Sequence, residues 1–202
     1  ECYRLLAQRI SAVTGHPAVL IQRKTYAEIN KLLSNGEADM AFLSTGSYVS
    51  YHGLYEIEIL AMAALDDEFL YRPYIIVHKD SDIHSFADLA GKTFAFTDPL
   101  SFSGHLIIED MLFSQGTNSE RYFKRYFYTY NHDKSIWAVA NHVADAASID
   151  SQIYDYAKIQ TPELTDNIRI ISVLESAPTG PVVVRKDLPA EQIAQLRKMG
   201  GL

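Results

Sequence analysis

The sequence predicts an α/β protein of two lobes, each a mixed sheet flanked by helices. Short apolar strands alternate with helical patterns along the chain, an order typical of sheets that are covered on both faces. A near copy also occurs, because an apolar strand followed by a basic residue and Lys-Asp is found at 74–80 and again at 181–187. We interpret these strands as a two-strand hinge at which the chain crosses one boundary twice. Residues 1–74 plus 181–202 then form lobe 1, and residues 75–180 form lobe 2.

The elements of lobe 1 follow from hydrophobic periodicity and from turn residues. Helical spacing begins at Tyr3, and the first helix ends at Gly15 and Pro17, a C-cap and a stop. The pattern then predicts a strand at 18–21, a helix at 26–33, a strand at 38–43, a helix start at 44–47 and a strand at 57–65. Since helical spacing begins with the first residues, we expect that a leader has been removed from this chain.

The elements of lobe 2 alternate in the same way. We expect helices at 85–89, from 103, at 135–141 and at 151–158, and strands at 93–96, 126–129, 144–149 and 168–173. In α/β sheets of this kind, ligands collect at the carboxyl ends of the strands. Ser44, Thr45 and Ser101 each follow a predicted strand, so these ends are the place to look for a binding site.

Composition argues against several classes of function. The 202 residues carry a net charge of −7 and contain no Lys/Arg patch, so we expect no nucleic acid as a partner. No apolar run approaches the roughly 18–20 residues that cross a bilayer. Cys2 is the single cysteine and the histidines lack ligand spacing, so we expect no internal disulfide, no metal site and no cofactor.

The segment 94–105 is the most informative stretch of the chain. An apolar strand leads into Pro99 and then into Ser101, Ser103 and Gly104, which open an amphipathic helix. Two hydroxyls and several backbone N–H groups then lie at the positive end of a helix, where an oxyanion is stabilised. Serine is also a common N-cap without any ligand, so the residues alone leave both interpretations open.

A series of motifs in consistent order spans nearly the whole chain. The motifs are Asp80–Ile83, Asp88–Phe96, Asp98–Gly104, Asn131–Val139, Asp145–Ser151 and Pro181–Pro189. As a set they resemble the phosphonate/phosphate/phosphite-binding proteins of ABC transporters. The resemblance implies a type II periplasmic-binding-protein fold that closes on its ligand. It implies an extracytoplasmic solute-binding protein, which holds a phosphorus oxyanion in an interlobe cleft and carries out no covalent chemistry.

The resemblance implies which residues of lobe 2 hold the oxyanion. Ser101 and Ser103 match the family's hydroxyl donors, and His132 matches a phosphoryl-binding histidine. Phe102 stands where the family has a hydroxyl residue between the two serines, which removes one donor. Asp150 lies near the position of an acidic residue that receives the ammonium of aminophosphonates, and it is also a candidate N-cap for the helix at 151–158.

Tyrosines complete the site that the resemblance implies. Tyr48 and Tyr71 match family tyrosines that line the cleft from lobe 1, and Ser44 and Thr45 precede Tyr48 at a strand end. We expect these residues to contact the ligand from the other side. Most of the 13 tyrosines have no such role, since tyrosine commonly packs with its hydroxyl at the surface.

The resemblance also implies partners and a location. The protein partner would be an ABC-transporter permease, and the location would be the periplasm or the outer face of the membrane. Family members usually begin with a strand before the first helix, which this chain lacks, and because the chain stops soon after Leu188 we expect its final helices to be clipped. These ends fit an alternative, in which the same fold is the ligand-sensing domain of a membrane-bound sensor kinase or cyclase fused to a signalling module.

Two other classes of protein deserve comparison. The effector-binding domain of a LysR-type transcription regulator shares the two-lobed architecture, but the motif series argues against it. A hydrolase would use Ser103, His132 and Asp150 as a triad. Ser103 does not lie in a Gly-x-Ser-x-Gly motif, and such a set arises by chance in most chains, so we expect no enzyme.

Overall fold

The computed structural model describes residues 2–64 and 67–199. The chain divides into two compact units, Glu1–Ala64 with Gly180–Leu202 (unit 1) and Leu65–Thr179 (unit 2). The chain therefore passes between the units at 64–65 and at 179–180. The passages expected from the sequence are at 74–75 and 180–181, so the first lies ten residues earlier than expected.

Helices and strands of both units alternate along the chain. In chain order they are α1 (Cys2–Thr14), α2 (Tyr26–Ser34), β1 (Met40–Phe42), α3 (Thr45–Val49), β2 (Ile57–Met62), β3 (Leu70–Tyr71), β4 (Pro73–His78), a 3₁₀ turn (Ala87–Leu89), β5 (Thr93–Phe96), a π-helical turn (Phe102–Leu106), α4 (Ile107–Ser114), α5 (Ser119–Tyr122), β6 (Arg125–Tyr128), α6 (His132–Ala140), β7 (Ala146–Asp150), α7 (Ser151–Gln160), α8 (Pro162–Thr165), β8 (Ile168–Val173), β9 (Ala177–Pro178), β10 (Pro181–Arg185) and α9 (Ala190–Met199). Within the described ranges, no helix is both long and apolar enough to cross a membrane. The mixed α/β class predicted from the sequence is confirmed.

Unit 1 is built on a small antiparallel sheet. β10 lies between β1 and β2 and pairs with both. Successive residues of a strand face opposite sides, and here Val183 packs with Leu33 and Leu43 while Val182 and Val184 pack with a second cluster. Both faces of β10 are therefore buried, which explains its uninterrupted run of valines.

The segment 18–21 is not a strand, so that prediction is wrong. Among the described residues, no strand pairs with this segment, and β1 forms an edge of its sheet. The Val19 side chain is 82% exposed, and a cavity of about 690 Å³ in unit 1 is lined by this segment together with residues of α1 and β1. An apolar segment becomes a strand only where a neighbouring strand completes its backbone hydrogen bonds. Among the described residues, no such strand pairs with 18–21.

Unit 2 holds a five-stranded sheet in the order β6-β5-β7-β4-β8. β5 runs parallel to both of its neighbours, whereas β4 is antiparallel to β7 and β8. Phe94 and Phe96 of β5 face the cluster that contains Ile108 of α4, and Ala95 faces the cluster that contains Ile136 of α6. Helices therefore cover both faces of the sheet, as the alternating pattern predicts.

The two strands that the sequence analysis assigns to the hinge are β4 and β10, and they belong to different units. Each is an interior strand of its own sheet. Their sequences are similar because each strand is buried on both faces and so needs apolar residues on both sides. The segments next to the two chain passages are instead β3 and β9, which pair with each other antiparallel inside unit 2.

Candidate oxyanion site

The candidate site of unit 2 lies at the carboxyl ends of three neighbouring parallel strands. Ser101 follows β5, His132 follows β6, and Asp150 is the last residue of β7. Since β5 lies between β6 and β7 and is parallel to both, these ends meet at one edge of the sheet. The fold therefore brings a hydroxyl, an imidazole and a carboxylate to the same edge.

Ser101 is buried and caps the helix that follows β5. Its Oγ accepts the N–H of Gly104 at 3.0 Å, and its own N–H donates to the carbonyl of Asp98 at 2.9 Å. The capping role that serine commonly has is therefore present. It uses the hydroxyl oxygen as an acceptor, so the hydroxyl hydrogen remains available as a donor.

Gly104 allows the helix start to approach the end of β5. A Cβ at this position would lie 2.3 Å from Thr97 Oγ1 and 2.9 Å from Ser101 Oγ. The Gly104 carbonyl also accepts the N–H of Thr97 at 3.0 Å. Any larger residue would push the first turn away from the strand, so glycine is required by close packing.

Ser103 lies one residue into the π-helical turn and is 2% exposed. In the part of the chain that the structure describes, its hydroxyl has no hydrogen-bond partner. The N–H groups of Phe102 and Ser103 belong to the first turn, where helical N–H groups lack an intrahelical acceptor. A hydroxyl and two N–H groups are thus available to an anion at this corner.

A strained turn positions His132 beside this corner. Tyr130 has a φ of +60°, in the left-handed region, and its N–H donates to the carbonyl of Thr97. Asn131 then caps α6 by accepting the N–H of Lys134 at 3.2 Å. As a result α6 begins at His132, three residues earlier than the predicted helix, because asparagine is a strong N-cap.

The tautomer of His132 is set by its neighbour on β7. The backbone N–H of Asp150 donates to His132 Nδ1 at 3.2 Å, and Thr97 Oγ1 lies 3.4 Å from the same atom. Burial lowers the pKa of His132 to about 4. The ring is therefore neutral at pH 7 with its hydrogen on Nε2, which makes it a single directed donor.

Asp150 caps α7 with its side chain. Its Oδ1 accepts the N–H groups of Gln152 at 2.6 Å and Ile153 at 3.4 Å. Burial raises the pKa of the Asp150 carboxyl, and these two N–H groups act in the opposite direction. A carboxylate that has lost part of its hydration gains from a nearby cation, so the cap and an ammonium-binding role are compatible.

Tyr71 belongs to unit 2, whereas the sequence analysis places it in lobe 1. It lies in β3, two residues before β4, and it is buried. Its ring meets the half-buried ring of Phe102 edge-on, with the centroids 6.3 Å apart. Tyr71 therefore belongs to the same unit as Ser101 and Ser103, because the first passage between units precedes β3.

Ser44, Thr45 and Tyr48 lie at the carboxyl end of β1 in unit 1. Ser44 caps α3 by accepting the N–H of Ser47 at 3.1 Å, and its hydroxyl donates to Ser47 Oγ at 2.9 Å. Thr45 begins α3, and Tyr48 packs against the cluster of Leu33 and Leu43. Their assignment to the ligand stays a prediction.

Three residues that support the site were not identified from the sequence. Thr97 links the helix start to His132, and Tyr130 forms the strained turn. His105 approaches the carbonyl of Pro99 with Nδ1 at 2.8 Å and the hydroxyl of Tyr128 with Nε2 at 3.1 Å, which fixes the loop that carries Ser101. The sequence signal that could have identified Thr97 is its position directly after the predicted strand at 93–96.

The arrangement does not form a hydrolytic triad. His132 Nδ1 faces the backbone N–H of Asp150, and the Asp150 carboxylate caps a helix. A Ser-His-Asp triad needs the carboxylate to accept the hydrogen of the imidazole. Within the described residues, no group of three or more His, Cys, Asp or Glu side chains is placed to hold a metal ion. The geometry suits the holding of an anion.

A family model described as "ABC transporter, phosphonate, periplasmic substrate-binding protein" matches residues 1–199. The chain belongs to this family. The predicted resemblance is therefore confirmed, and the family is one of substrate-binding transport proteins, not of enzymes.

Curated proteins similar to this chain include a phosphonates-binding protein and a phosphate-import protein. The chain is 35% identical over 124 residues to the phosphonates-binding periplasmic protein of Escherichia coli K12, covering 58% of this chain and 36% of the relative. It is 27% identical over 173 residues to the phosphate-import protein PhnD of Mycolicibacterium smegmatis, covering 80% of this chain and 54% of the relative. The chain thus spans about a third to a half of these curated relatives.

A solved structure supports the fold. The binding-protein component of an ABC phosphonate transporter from Pseudomonas aeruginosa superimposes with a TM-score of 0.86 at 25% identity. The comparison covers 97% of this chain and 67% of that protein. The type II periplasmic-binding-protein fold expected from the motifs is confirmed.

Proposed function

We propose that this protein binds a small phosphorus oxyanion, with phosphonate as the principal class, and delivers it to an ABC-transporter permease. Membership of the family supports the transport role, and the two curated relatives described above are named for phosphonate or phosphate. The periplasm is the proposed location for the same reason. The family model describes a transporter component, which favours transport over the alternative of a fused sensor domain.

The observation that carries the proposal is the set of donors at one corner of unit 2. Ser101 keeps its hydroxyl hydrogen, the Ser103 hydroxyl and nearby N–H groups are available, and His132 presents its Nε2 hydrogen. Hydrogen bonds from such groups to an ionised oxygen are short and strong. All of them are fixed by the fold before a ligand arrives, so little ordering accompanies binding.

Each residue has a distinct proposed role. Ser101, Ser103 and His132 hold the oxygens, and Asp150 discriminates among ligands by its charge. The negative charge of the whole chain does not oppose this, because oriented local dipoles outweigh distant surface charges. Ser44, Thr45, Tyr48 and Tyr71 remain proposed ligand contacts.

Calorimetric titration tests the proposal. We expect methylphosphonate, 2-aminoethylphosphonate, phosphite or phosphate to release or absorb measurable heat, with sulfate as a tetrahedral control. We also expect no hydrolysis when phosphonate or phosphate esters are incubated with the protein. Absence of binding to every phosphorus compound would contradict the proposal, and so would turnover that Ser103→Ala abolishes.

A further inference from the structure

We infer that His105 is a positioning residue for the oxyanion donors, and that it acts through the hydrogen on Nδ1 of its imidazole. This inference rests on the proposed function, because it concerns the affinity of the same site. His105 lies in the π-helical turn, two residues after Ser103. Its side chain is 13% exposed, and both ring nitrogens contact polar atoms of unit 2. The ring therefore acts on the protein itself and not on the ligand.

The Pro99 carbonyl fixes the direction of the first of these contacts. Nδ1 of His105 lies 2.8 Å from this oxygen, which can only accept, so Nδ1 carries a hydrogen and donates it. Nε2 lies 3.1 Å from the Tyr128 hydroxyl and 3.5 Å from a Glu109 carboxylate oxygen. Burial raises the pKa of Tyr128 to about 12, so the phenol keeps its hydrogen at neutral pH. The Nδ1 hydrogen points to the Pro99 carbonyl whatever the state of Nε2.

The bond from His105 fixes one peptide group of the loop that leads into the helix. The Pro99 carbonyl and the Leu100 N–H are opposite ends of the peptide group between these two residues. His105 Nδ1 donates to the carbonyl, and the Leu100 N–H donates to Asp98 Oδ1 at 2.9 Å. Hydrogen bonds at both ends oppose rotation of this peptide group, and the proline ring already fixes the φ of Pro99. The path of the chain into Ser101 therefore has little freedom.

The orientation of this peptide group determines where the donors lie. Ser101 follows it directly, donates its N–H to the Asp98 carbonyl at 2.9 Å and accepts the N–H of Leu106 at 2.9 Å with its own carbonyl. The Ser101 hydroxyl and the N–H groups of the first turn are thus aimed by the loop before them. If the peptide group rotates, these donors no longer converge. The measured affinity then falls in proportion to the fraction of molecules that keep the ordered loop.

The His105 ring also has a packing role, which the test must separate from the positioning role. The ring meets Phe96 edge-on with the centroids 4.7 Å apart, so its removal lowers the stability of unit 2 in any case. Asparagine and glutamine both remove the ring, but they place their amide N–H groups differently. Asparagine carries its nitrogen on Cγ, as histidine carries Nδ1, whereas glutamine carries its nitrogen one carbon further, near the position of Nε2.

Calorimetry with methylphosphonate on His105→Asn and His105→Gln tests the inference. Both variants lose the ring, so we expect similar losses of thermal stability. His105→Asn keeps a donor to the Pro99 carbonyl and should bind within about threefold of the unaltered protein, whereas His105→Gln should bind roughly tenfold more weakly, the effect of one hydrogen bond. Hydrogen exchange of the Leu100 N–H, followed by NMR, should be faster in His105→Gln and not in His105→Asn. His84→Gln makes the same replacement at an exposed histidine of unit 2 and should leave the Kd unchanged.

The outcomes separate this inference from the proposed function. If His105→Asn and His105→Gln weaken binding equally, or if neither does, the inference is overturned and the proposed function stands. If no phosphorus compound binds to the unaltered protein, the proposed function fails and the inference fails with it. Should His105→Gln not fold, Tyr128→Phe gives a second test, since it removes the hydroxyl at Nε2 and leaves the Nδ1 bond in place. Unchanged affinity in Tyr128→Phe and His105→Asn supports the inference, and weaker binding by both overturns it.

Discussion

The backbone N–H of Asp150 donates to Nδ1 of His132 across 3.2 Å, joining the end of β7 to the start of α6. This one contact has two consequences. It directs the remaining imidazole hydrogen to Nε2, where an anion can accept it. It also opposes protonation of Nδ1, because a protonated nitrogen could not accept the Asp150 N–H. Burial acts in the same direction and lowers the pKa of His132 to about 4.

The depressed pKa of His132 predicts a loss of stability in mild acid. The unfolded chain takes up a proton near the ordinary pKa of 6.5, whereas the folded chain does so near 4. Between these values the unfolded state binds more protons, so the free energy of unfolding falls as the pH falls. From pH 7.5 to pH 5, His132 should remove up to roughly 2 kcal/mol, an upper limit because the ring is half-buried.

Urea unfolding of the protein and of His132→Gln at these two pH values measures this contribution. Trp137, the single tryptophan, lies in the same helix as His132 and reports on unit 2 by its fluorescence. We expect the variant to lose less stability in acid than the unaltered protein. His84→Gln removes an exposed histidine of unit 2 and should behave like the unaltered protein. Equal pH dependence in all three proteins would show that His132 is not held neutral.

Ser101→Ala and Ser103→Ala should differ in their effects on stability and on ligand binding. Ser101→Ala removes both a helix cap and a proposed anion donor, so we expect a loss of about 1 kcal/mol in unfolding free energy together with weaker binding. Ser103→Ala removes a hydroxyl that caps nothing, so binding should weaken roughly 10- to 100-fold with little change in stability. Thermal unfolding and calorimetry with methylphosphonate separate the two effects.

Asn118 provides the control for this comparison. Its side chain caps α5 by accepting the N–H of Arg121 at 3.0 Å, in unit 2 but outside the site. Asn118→Ala should cost about as much stability as Ser101→Ala without altering the Kd. If it weakened binding equally, the loss in Ser101→Ala would reflect destabilisation of unit 2 rather than a missing donor.

Much of the fold could be predicted because local pattern and tertiary context agree. β5 and β8 have the predicted bounds, since their apolar segments find strand partners: β5 lies between β6 and β7, and β8 pairs with β4 at the edge of the sheet. The segment 18–21 has an equally apolar sequence, but strand pairing depends on a neighbour that the pattern does not contain. The first chain passage lies ten residues before the expected one, because β4 and β10 share a burial pattern but belong to different units.

The sequence indicates the residue types of the candidate site but not their geometry. Ser101 and Gly104 follow a strand and open a helix, which the sequence shows directly. The role of Thr97 depends on the approach of Gly104, and the tautomer of His132 depends on Asp150, 18 residues away. Tyr130 combines a positive φ with a hydrogen bond to the Thr97 carbonyl, and no local motif indicates that conformation.

Asp150 should discriminate between phosphonates that do and do not carry an ammonium group. Asp150→Asn keeps a side chain that caps helices well, so α7 should be retained while the charge is lost. We expect 2-aminoethylphosphonate to bind at least tenfold more weakly, because a partly buried carboxylate attracts an ammonium strongly. Methylphosphonate should bind at least as well as before. Equal losses for both ligands would assign Asp150 to the cap alone.

Gly104→Ala should weaken binding through geometry. Its Cβ would lie 2.3 Å from Thr97 Oγ1, so the first turn must move away from β5, at a cost of roughly 1–3 kcal/mol. The movement displaces the Ser101 and Ser103 donors from His132, and we expect the Kd for methylphosphonate to rise by tenfold or more. Gly116→Ala is the matched control, because Gly116 has a φ of +74° and a Cβ added there would meet open space. Alanine there should cost a similar roughly 1–2 kcal/mol through backbone strain while the Kd stays unchanged. A Kd that rises in both variants would attribute the loss to general destabilisation, and a Kd that rises in neither would place the anion away from this corner.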